Sequence, residues 1–587
     1  MVLPTPLQAF SGMPKASATT EKQTIVDGEK MTGAEALVRS LEDLGVKDVF
    51  GVPGGAILPV YDSIKDDTKF RFVLMRHEQA AGHAAEGYAL TTGQVGVCIV
   101  TSGPGATNMI TPIADANMDS IPMVVITGQV GVNAIGTDAF QEADIVGATY
   151  PVVKHSYLVT RAQDIPRVLA EAHYIARSGR PGPVLVDIVK SATSDVTEYT
   201  KENPVIEESS NDRLSEENVQ KAIELIQTAK KPMIFVGGGA VISGAQEELK
   251  EFAKKVDAPV TDSLMGKGAF DGTDERYVGM LGMHGTKTAN LSLMESDLLI
   301  VVGSRFSDRV AANPKTFAQN AKIIQIDIDE AEINKNVAVD ISLIGDVRKV
   351  LTVLNQRLDS LSHTDWMQEV AERKVEVPLN YNHDVLTGPY IIEKLDEITN
   401  GEAIIATEVG QHQMWAAQYY KYKHPRTLLT SGGLGTMGYG LGAAIGAKTA
   451  YPDKVVVNIA GDGCFRMNMN EIATATRSNI PVIELVFNNH VLGMVRQWQT
   501  LFYGERYSHT VLNDKVDFVK LAEAMGAKAY RITKKEEVEP VLKEAIALGE
   551  PVVIDCIIDS DDKVFPMVAP GKNLDDAFDE QDLLNQK

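Results

Sequence analysis

The sequence predicts an α/β protein of three doubly wound parallel-sheet domains. Three observations carry that prediction. Apolar strands alternate with helical stretches, two polar segments divide the chain, and one stretch of the first part recurs in the last. The 587 residues suffice for several cores, and an apolar content of 44% is ordinary for a globular protein.

Residues 1–29 lack a sustained apolar stretch and read as a loose tail, neither signal nor transit peptide. The first unit spans 30–190. Thr32 caps the helix "GAEALVRSLEDLGV", which precedes the strand "DVFGV" and the turn "PGG" with Gly54 and Gly55. The runs "VGVCIVT", "PMVVIT" and "GPVLVDI" then alternate with helices, as a parallel sheet requires. A polar linker, 191–214, leads to a central unit at 215–360 with strands "PMIFVG", "LLIVVG" and "IIQIDID". A second linker, 361–388, precedes the third unit, 389–562, with "AIIATEV", "KVVVNIA", "PVIELVF" and "PVVIDCII". The acidic end, 563–587, reads as a mobile tail.

The repeat joins 95–128 to 454–489. Each copy runs strand, glycine turn, helix, then "IP" into another strand, with Pro122 and Pro481 at matching places. The first and third units are therefore expected to be diverged copies of one fold.

Formal net charge is −23, which argues against a nucleic-acid partner. No apolar run reaches the roughly 18 residues that cross a bilayer. Cys98, Cys464 and Cys556 form no framework or metal pattern. These features fit a large soluble cytoplasmic protein.

Only the later copy carries "GDG" (461–463) and, after the 24 residues 464–487, the pair Asn488–Asn489. In an open parallel sheet, ligands sit beyond the carboxyl ends of the strands. Asp462 and Asn489 end two successive strands there, and Gly461 and Gly463 allow backbone to approach a phosphate. One carboxylate, one amide oxygen, a backbone carbonyl and two diphosphate oxygens nearly complete a Mg²⁺ shell. Alone, such residues also serve as caps and turn formers. Glu78 in "RHEQAAGHAAEGYA" reads either as a helix-start acid or as a proton-handling carboxylate. Met437 in "GGLGTMGYG" reads as core or as a wedge beneath a bent cofactor.

Taken together these stretches resemble the acetohydroxyacid synthase (acetolactate synthase) family of thiamine-diphosphate enzymes. "VFGVPGGAILPVYD", "TSGPGATN", "DAFQEAD", "MLGMHGTKTAN", "RFSDRV", "VGQHQMWAAQ" and "GMVRQWQTLFY" carry the same likeness, over roughly 30–575. The resemblance implies decarboxylation of pyruvate and ligation of the two-carbon unit to a second pyruvate or to 2-ketobutyrate. It makes the three units pyrimidine-binding, FAD-associated and diphosphate-binding. It makes Glu78 the activating carboxylate, Met437 the wedge, and Asp462, Asn489 and the backbone of Val491 the metal ligands. Gly54, Gly55, Val409, Gln411, His412, Gly435, Gly463, Cys464, Gly493 and Met494 would line the cofactor. Arg309 and Trp498 would hold the acceptor ketoacid, with Phe140, Gln141 and Lys190 along its channel; singly, these look like a surface ion pair, core and solvated positions.

The central unit offers "VGGGA" but no six-residue dinucleotide fingerprint. By the same likeness Arg180, Gly238, His284, Gly285, Arg305, Asp327 and Asp346 would line a structural FAD. The family also implies a homodimer or dimer of dimers, with Glu78 and the metal site meeting from different subunits, and a separate small regulatory subunit. Two other readings remain at this stage: a pyruvate-oxidase type of flavin–thiamine enzyme, and a catalytically silent relative.

Overall fold

Each expected unit contains one six-stranded sheet whose neighbouring strands all run parallel. A computed structural model describes residues 28–65, 68–202, 213–513 and 515–585. In the first unit the strands are, in chain order, Asp48–Val52, Arg71–Leu74, Gly96–Val100, Met123–Gln129, His155–Val159 and Pro183–Val189. In the third they are Ile404–Thr407, Leu428–Leu429, Val456–Gly461, Ile483–Asn488, Lys528–Ile532 and Val552–Ile557. Both sheets have the spatial order 2-1-3-4-6-5. The repeat in the sequence is thus a repeat of topology. The central sheet differs: its order is 3-2-1-4-5-6, the arrangement of dinucleotide-binding folds.

Local chemistry sets the elements. Thr32 caps the helix Gly33–Asp43 in a capping box with Glu35, as the sequence predicts. The helix Glu78–Thr92 starts where His77 accepts from the amide of Gln79, and it ends at Gly93 with φ 73°. It packs on the helix Gly440–Ala450 of the third unit, and both helices feed one hydrophobic cluster. The approach is very close: a Cβ on Gly446 would lie 1.9 Å from the Ala84 carbonyl oxygen, and one on Gly87 would lie 2.2 Å from that of Ala443.

Three segments depart from expectation. Residues 191–199, read as linker, belong to a short helix, Lys190–Ser194, and a strand, Val196–Tyr199, paired antiparallel with Glu29–Thr32. The second linker contains the helix Thr364–Glu376, whose buried Trp366 donates to the Pro232 carbonyl at 2.9 Å. The acidic end is docked, not loose, over 563–585. Val568 and Leu574 enter the central core, and Lys287 pairs with Asp579 at 2.6 Å and with Asp582. Its charge disguised this, because Asp579 and Asp582 meet Lys287 while Val568 and Leu574 turn inward. Residues 1–27 of the expected tail and 203–212 of the first linker lie outside the described residues. Among the described residues no helix is long and apolar enough to cross a membrane.

Candidate active site

The strands Val456–Gly461 and Ile483–Asn488 are parallel neighbours, with Gly461 opposite Phe487. Asp462 opens the helix Asp462–Asn468 at the tip of the first strand, and Asn489 follows the second. Their side chains face one pocket. Asp462 is buried and accepts from Arg466 Nη1 at 3.1 Å. Burial pushes its carboxyl up to about 6, while the guanidinium pulls it back. Asn489 accepts the Val491 amide at 3.2 Å, and its own amide approaches Gln411 Oε1 at 3.4 Å. Asn488 turns the other way and donates to Asp555 within the sheet at 2.9 Å. Only one asparagine of the pair faces the pocket.

The expected cofactor residues Val409, Gln411, His412 and Met437 line one wall. Gly463, Cys464, Val491, Gly493 and Met494 line the other. Gly435 adjoins them, at φ 76°. The close walls need glycine: a Cβ on Gly493 would meet Gln411 Oε1 at 2.0 Å, and one on Gly461 would meet the His412 ring at 2.9 Å. Gln411 is fixed by donating to the Asp562 carbonyl at 2.6 Å and to Gln497 at 3.1 Å. His412 is kept neutral by burial, its pKa pushed down to about 3, and its Nε2 is buried without a partner. A buried carboxylate, a pocket-facing amide, an unpartnered imidazole nitrogen and side-chain-free walls fit a metal-held diphosphate.

Residues absent from the sequence reading hold Met437 in place. Glu408 accepts the amides of Gly438 (2.7 Å), Tyr439 (3.0 Å) and Leu441 (3.3 Å) and the Asn468 side chain (2.7 Å). Ser431 Oγ accepts the amides of Gly435 and Thr436, and itself donates to Asp115 at 2.7 Å. Asp119 accepts the amides of Gly432 (2.7 Å) and Gly433 (3.2 Å). The loop carrying Met437 is therefore clamped on both sides, partly by acids of the first unit. The one signal for Glu408 was an acid inside the run "AIIATEV", which otherwise reads as buried strand.

Glu78 stands in the first unit and is absent from the pocket lining. Its Oε2 accepts from Asn108 Nδ2 at 2.9 Å, and a Cβ on Gly105 would lie 3.5 Å from Oε1. Gly54 packs on Thr101 and Gly103 on Gln141, so these turns gather on one edge of the first sheet. Gly55 is adjacent in the same turn. Gln141 has φ 62°, and its neighbour Phe140 is 88% exposed. Lys190 is exposed at the start of its helix. Arg309, also exposed, approaches Met283 Sδ at 3.6 Å in the central unit. Trp498 is half-buried, edge-on to Phe502 with centroids 5.4 Å apart. No hydrogen bond or ring contact joins any two of these acceptor and channel residues among the described residues.

In the central unit Gly238, Arg305, Asp327 and Asp346 all stand at carboxyl ends of strands, as do His284 and Gly285. The glycine turns at strands 1 and 4 touch: a Cβ on Gly237 would lie 2.4 Å from the Gly303 oxygen. This is the switch point where such sheets bind dinucleotides. Arg180 reaches across from the first unit but spends its guanidinium on Asp329 (3.0 Å) and Glu332 (2.8 Å). Asp346 caps the helix Val347–Arg357. His284 is buried with Nδ1 unpartnered, and burial lowers its pKa to about 4.

Models of thiamine pyrophosphate enzymes match in three places: the N-terminal TPP binding domain at 31–148, the central domain at 219–354 and the C-terminal TPP binding domain at 408–556. The chain is 49% identical over 584 residues to the acetolactate synthase large subunit of Corynebacterium glutamicum, covering 97% of this chain and 93% of that one. It is 46% identical over 557 residues to the acetolactate synthase large subunit of Haemophilus influenzae, with coverages of 92% and 97%. It is 45% identical over 591 residues to acetolactate synthase 1, chloroplastic, of Nicotiana tabacum, with coverages of 97% and 88%.

Proposed function

The chain belongs to the acetolactate synthase large-subunit family of thiamine pyrophosphate enzymes, and from that premise we propose which of its residues do the work. The reaction decarboxylates pyruvate and joins the remaining two-carbon unit to a second 2-ketoacid, the first common step toward the branched-chain amino acids. The observation that carries the assignment of residues is the single pocket holding Asp462, Asn489, Gln411, His412 and Met437.

Bound thiamine diphosphate supplies an electron sink for the pair left on pyruvate's carbonyl carbon as CO₂ departs. Asp462, the Asn489 amide and the Val491 backbone would hold Mg²⁺, and Gln411 and His412 would face the diphosphate. Glu408 and Ser431 hold Met437 rigid, as a wedge must be. At Glu78, Oε2 is occupied by Asn108 while Oε1 accepts no hydrogen bond among the described residues, so Oε1 is the oxygen placed to exchange a proton. Arg309 would pair with the acceptor's carboxylate, and Trp498 would pack against its alkyl group, with Phe140, Gln141 and Lys190 along the approach.

A second copy of the chain completes each centre. The seam between the helices Glu78–Thr92 and Gly440–Ala450 fixes how the two halves of one chain meet, and that arrangement leaves Glu78 off its own pocket. Large apolar side chains are exposed on both halves: Leu58, Val132, Ile135 and Phe140 on the first unit, Leu434, Met467, Val495 and Tyr503 on the third. Their exposure is in keeping with a covered surface in a dimer. The test mixes Glu78→Gln and Asp462→Asn chains after dissociation. Random pairing should restore about a quarter of wild-type activity, because half the dimers each regain one intact centre. No recovery would mean that both residues serve a centre in one chain.

The central edge is read as the site of an FAD that has no redox part in the net reaction, supported by the strand order, the paired glycine turns and the unpartnered His284 nitrogen. A separate small regulatory subunit is in keeping with the large-subunit name of the relatives. For the acceptor, Trp498→Leu should erase most of the preference for 2-ketobutyrate over pyruvate, roughly 10-fold or more for one methylene. Competition between both ketoacids, with products resolved, measures it; an unchanged ratio removes Trp498 from acceptor selection.

A further inference from the structure

Glu471 lies just past the helix that Asp462 begins, in the 3₁₀ turn Met469–Glu471 of the third unit. Its side chain is fully buried and reaches into the first unit. There Oε1 accepts the backbone amides of Arg76 at 3.1 Å and His77 at 3.0 Å, and Oε2 shares the Arg76 amide at 3.2 Å. The carboxylate is itself oriented by Thr474, whose hydroxyl donates to Oε2 at 2.6 Å. Arg76 Nη2 adds a bond to the Ala473 carbonyl at 3.5 Å.

Arg76 and His77 are the two residues before Glu78, and His77 is the N-cap of its helix. Among the described residues the Glu471 carboxylate is the acceptor of both amides. A buried carboxylate taking two amides is a strong tie, because charged acceptors make shorter and stronger bonds than neutral ones. The backbone just ahead of Glu78 is thus set by the third unit.

We propose that Glu471 is a positioning residue for Glu78, and that it couples the placement of this acid to the helix headed by Asp462. The inference rests on the reading of Glu78 as the proton-exchanging group. If each centre takes Glu78 from one chain and Asp462 from its partner, the same tie mechanically connects the two centres of a dimer. Fixing the metal-side helix at one centre would then fix the acid presented to the other.

A double-mutant cycle on the full-length enzyme, with thiamine diphosphate and Mg²⁺ saturating, tests it. The chains are wild type, Glu471→Gln, Glu78→Gln and the double variant. Glu471→Gln should lower kcat about 10- to 100-fold with the KM for pyruvate within about twofold, since a displaced acid affects turnover and not substrate binding. In the Glu78→Gln background the same change should cost almost nothing. Glu471→Asp, which keeps the charge on a shorter arm, should fall between wild type and Glu471→Gln, and it serves if the glutamine chain does not fold. A fully multiplicative loss in the double variant, or kcat within twofold of wild type in Glu471→Gln (or in Glu471→Asp where the glutamine chain does not fold), overturns the proposal. Near-normal turnover of Glu78→Gln alone instead removes the reading of Glu78, and the two failures are told apart.

Discussion

Glu78→Gln is expected to bind thiamine diphosphate with nearly unchanged affinity while kcat falls by roughly 10²–10⁴-fold, the usual worth of a positioned proton-transfer group. The structure argues for both halves. Asn108 donates to Oε2, and a glutamine carbonyl oxygen can accept the same bond, so the side chain keeps its place. What disappears is the carboxylate oxygen Oε1, to which no group donates among the described residues. Because Glu78 does not line the diphosphate pocket, the binding residues are untouched. Cofactor titration by quenching of tryptophan fluorescence, paired with an acetolactate assay, separates the two effects. Turnover within threefold of wild type would show that the proton goes elsewhere.

Asp462→Asn should act in the opposite way and lose Mg²⁺ and cofactor first. The carboxylate is almost wholly buried, held at its position by the strand tip and faced by Arg466. Asparagine fits the same space, but the negative charge that offsets a divalent ion is gone. Removing one partner of a buried charge interaction costs about 3–5 kcal/mol, roughly 10²–10⁴-fold in the apparent Mg²⁺ constant. Activity measured against Mg²⁺ at fixed cofactor should show the midpoint move by that factor, with maximal turnover partly regained at high Mg²⁺. An unmoved midpoint would assign the metal to other ligands. The two variants therefore fail on different axes, which is why mixing them is informative.

Much of this architecture was legible because long apolar runs and glycine turns are local signals. The strands around "VGVCIVT", "KVVVNIA" and "PVIELVF" stand where the pattern puts them, and the duplicated segment proved to be a duplicated strand order. Short or half-exposed strands were not legible. His155–Val159 and Lys528–Ile532 carry polar residues, and Leu428–Leu429 is two residues long, so none shows a buried period. The site divides in the same way. Asp462 and Asn489 are marked by spacing, whereas Glu408, Asp119 and Glu471 act through backbone amides distant in sequence, and no motif announces such partners. Asn488 misleads for the converse reason: a repeated letter hides one structural and one pocket-facing amide.

The helix seam has one last consequence. With Ala84 and Ala443 carbonyls sitting where side chains of Gly446 and Gly87 would be, any shear of one homologous half over the other drives atoms into overlap. Those halves must travel as a single rigid block. Compliance needed for reactants to enter and leave is thereby relegated to the central unit and the docked terminal segment, which begins one residue after the Asp562 carbonyl that accepts from Gln411.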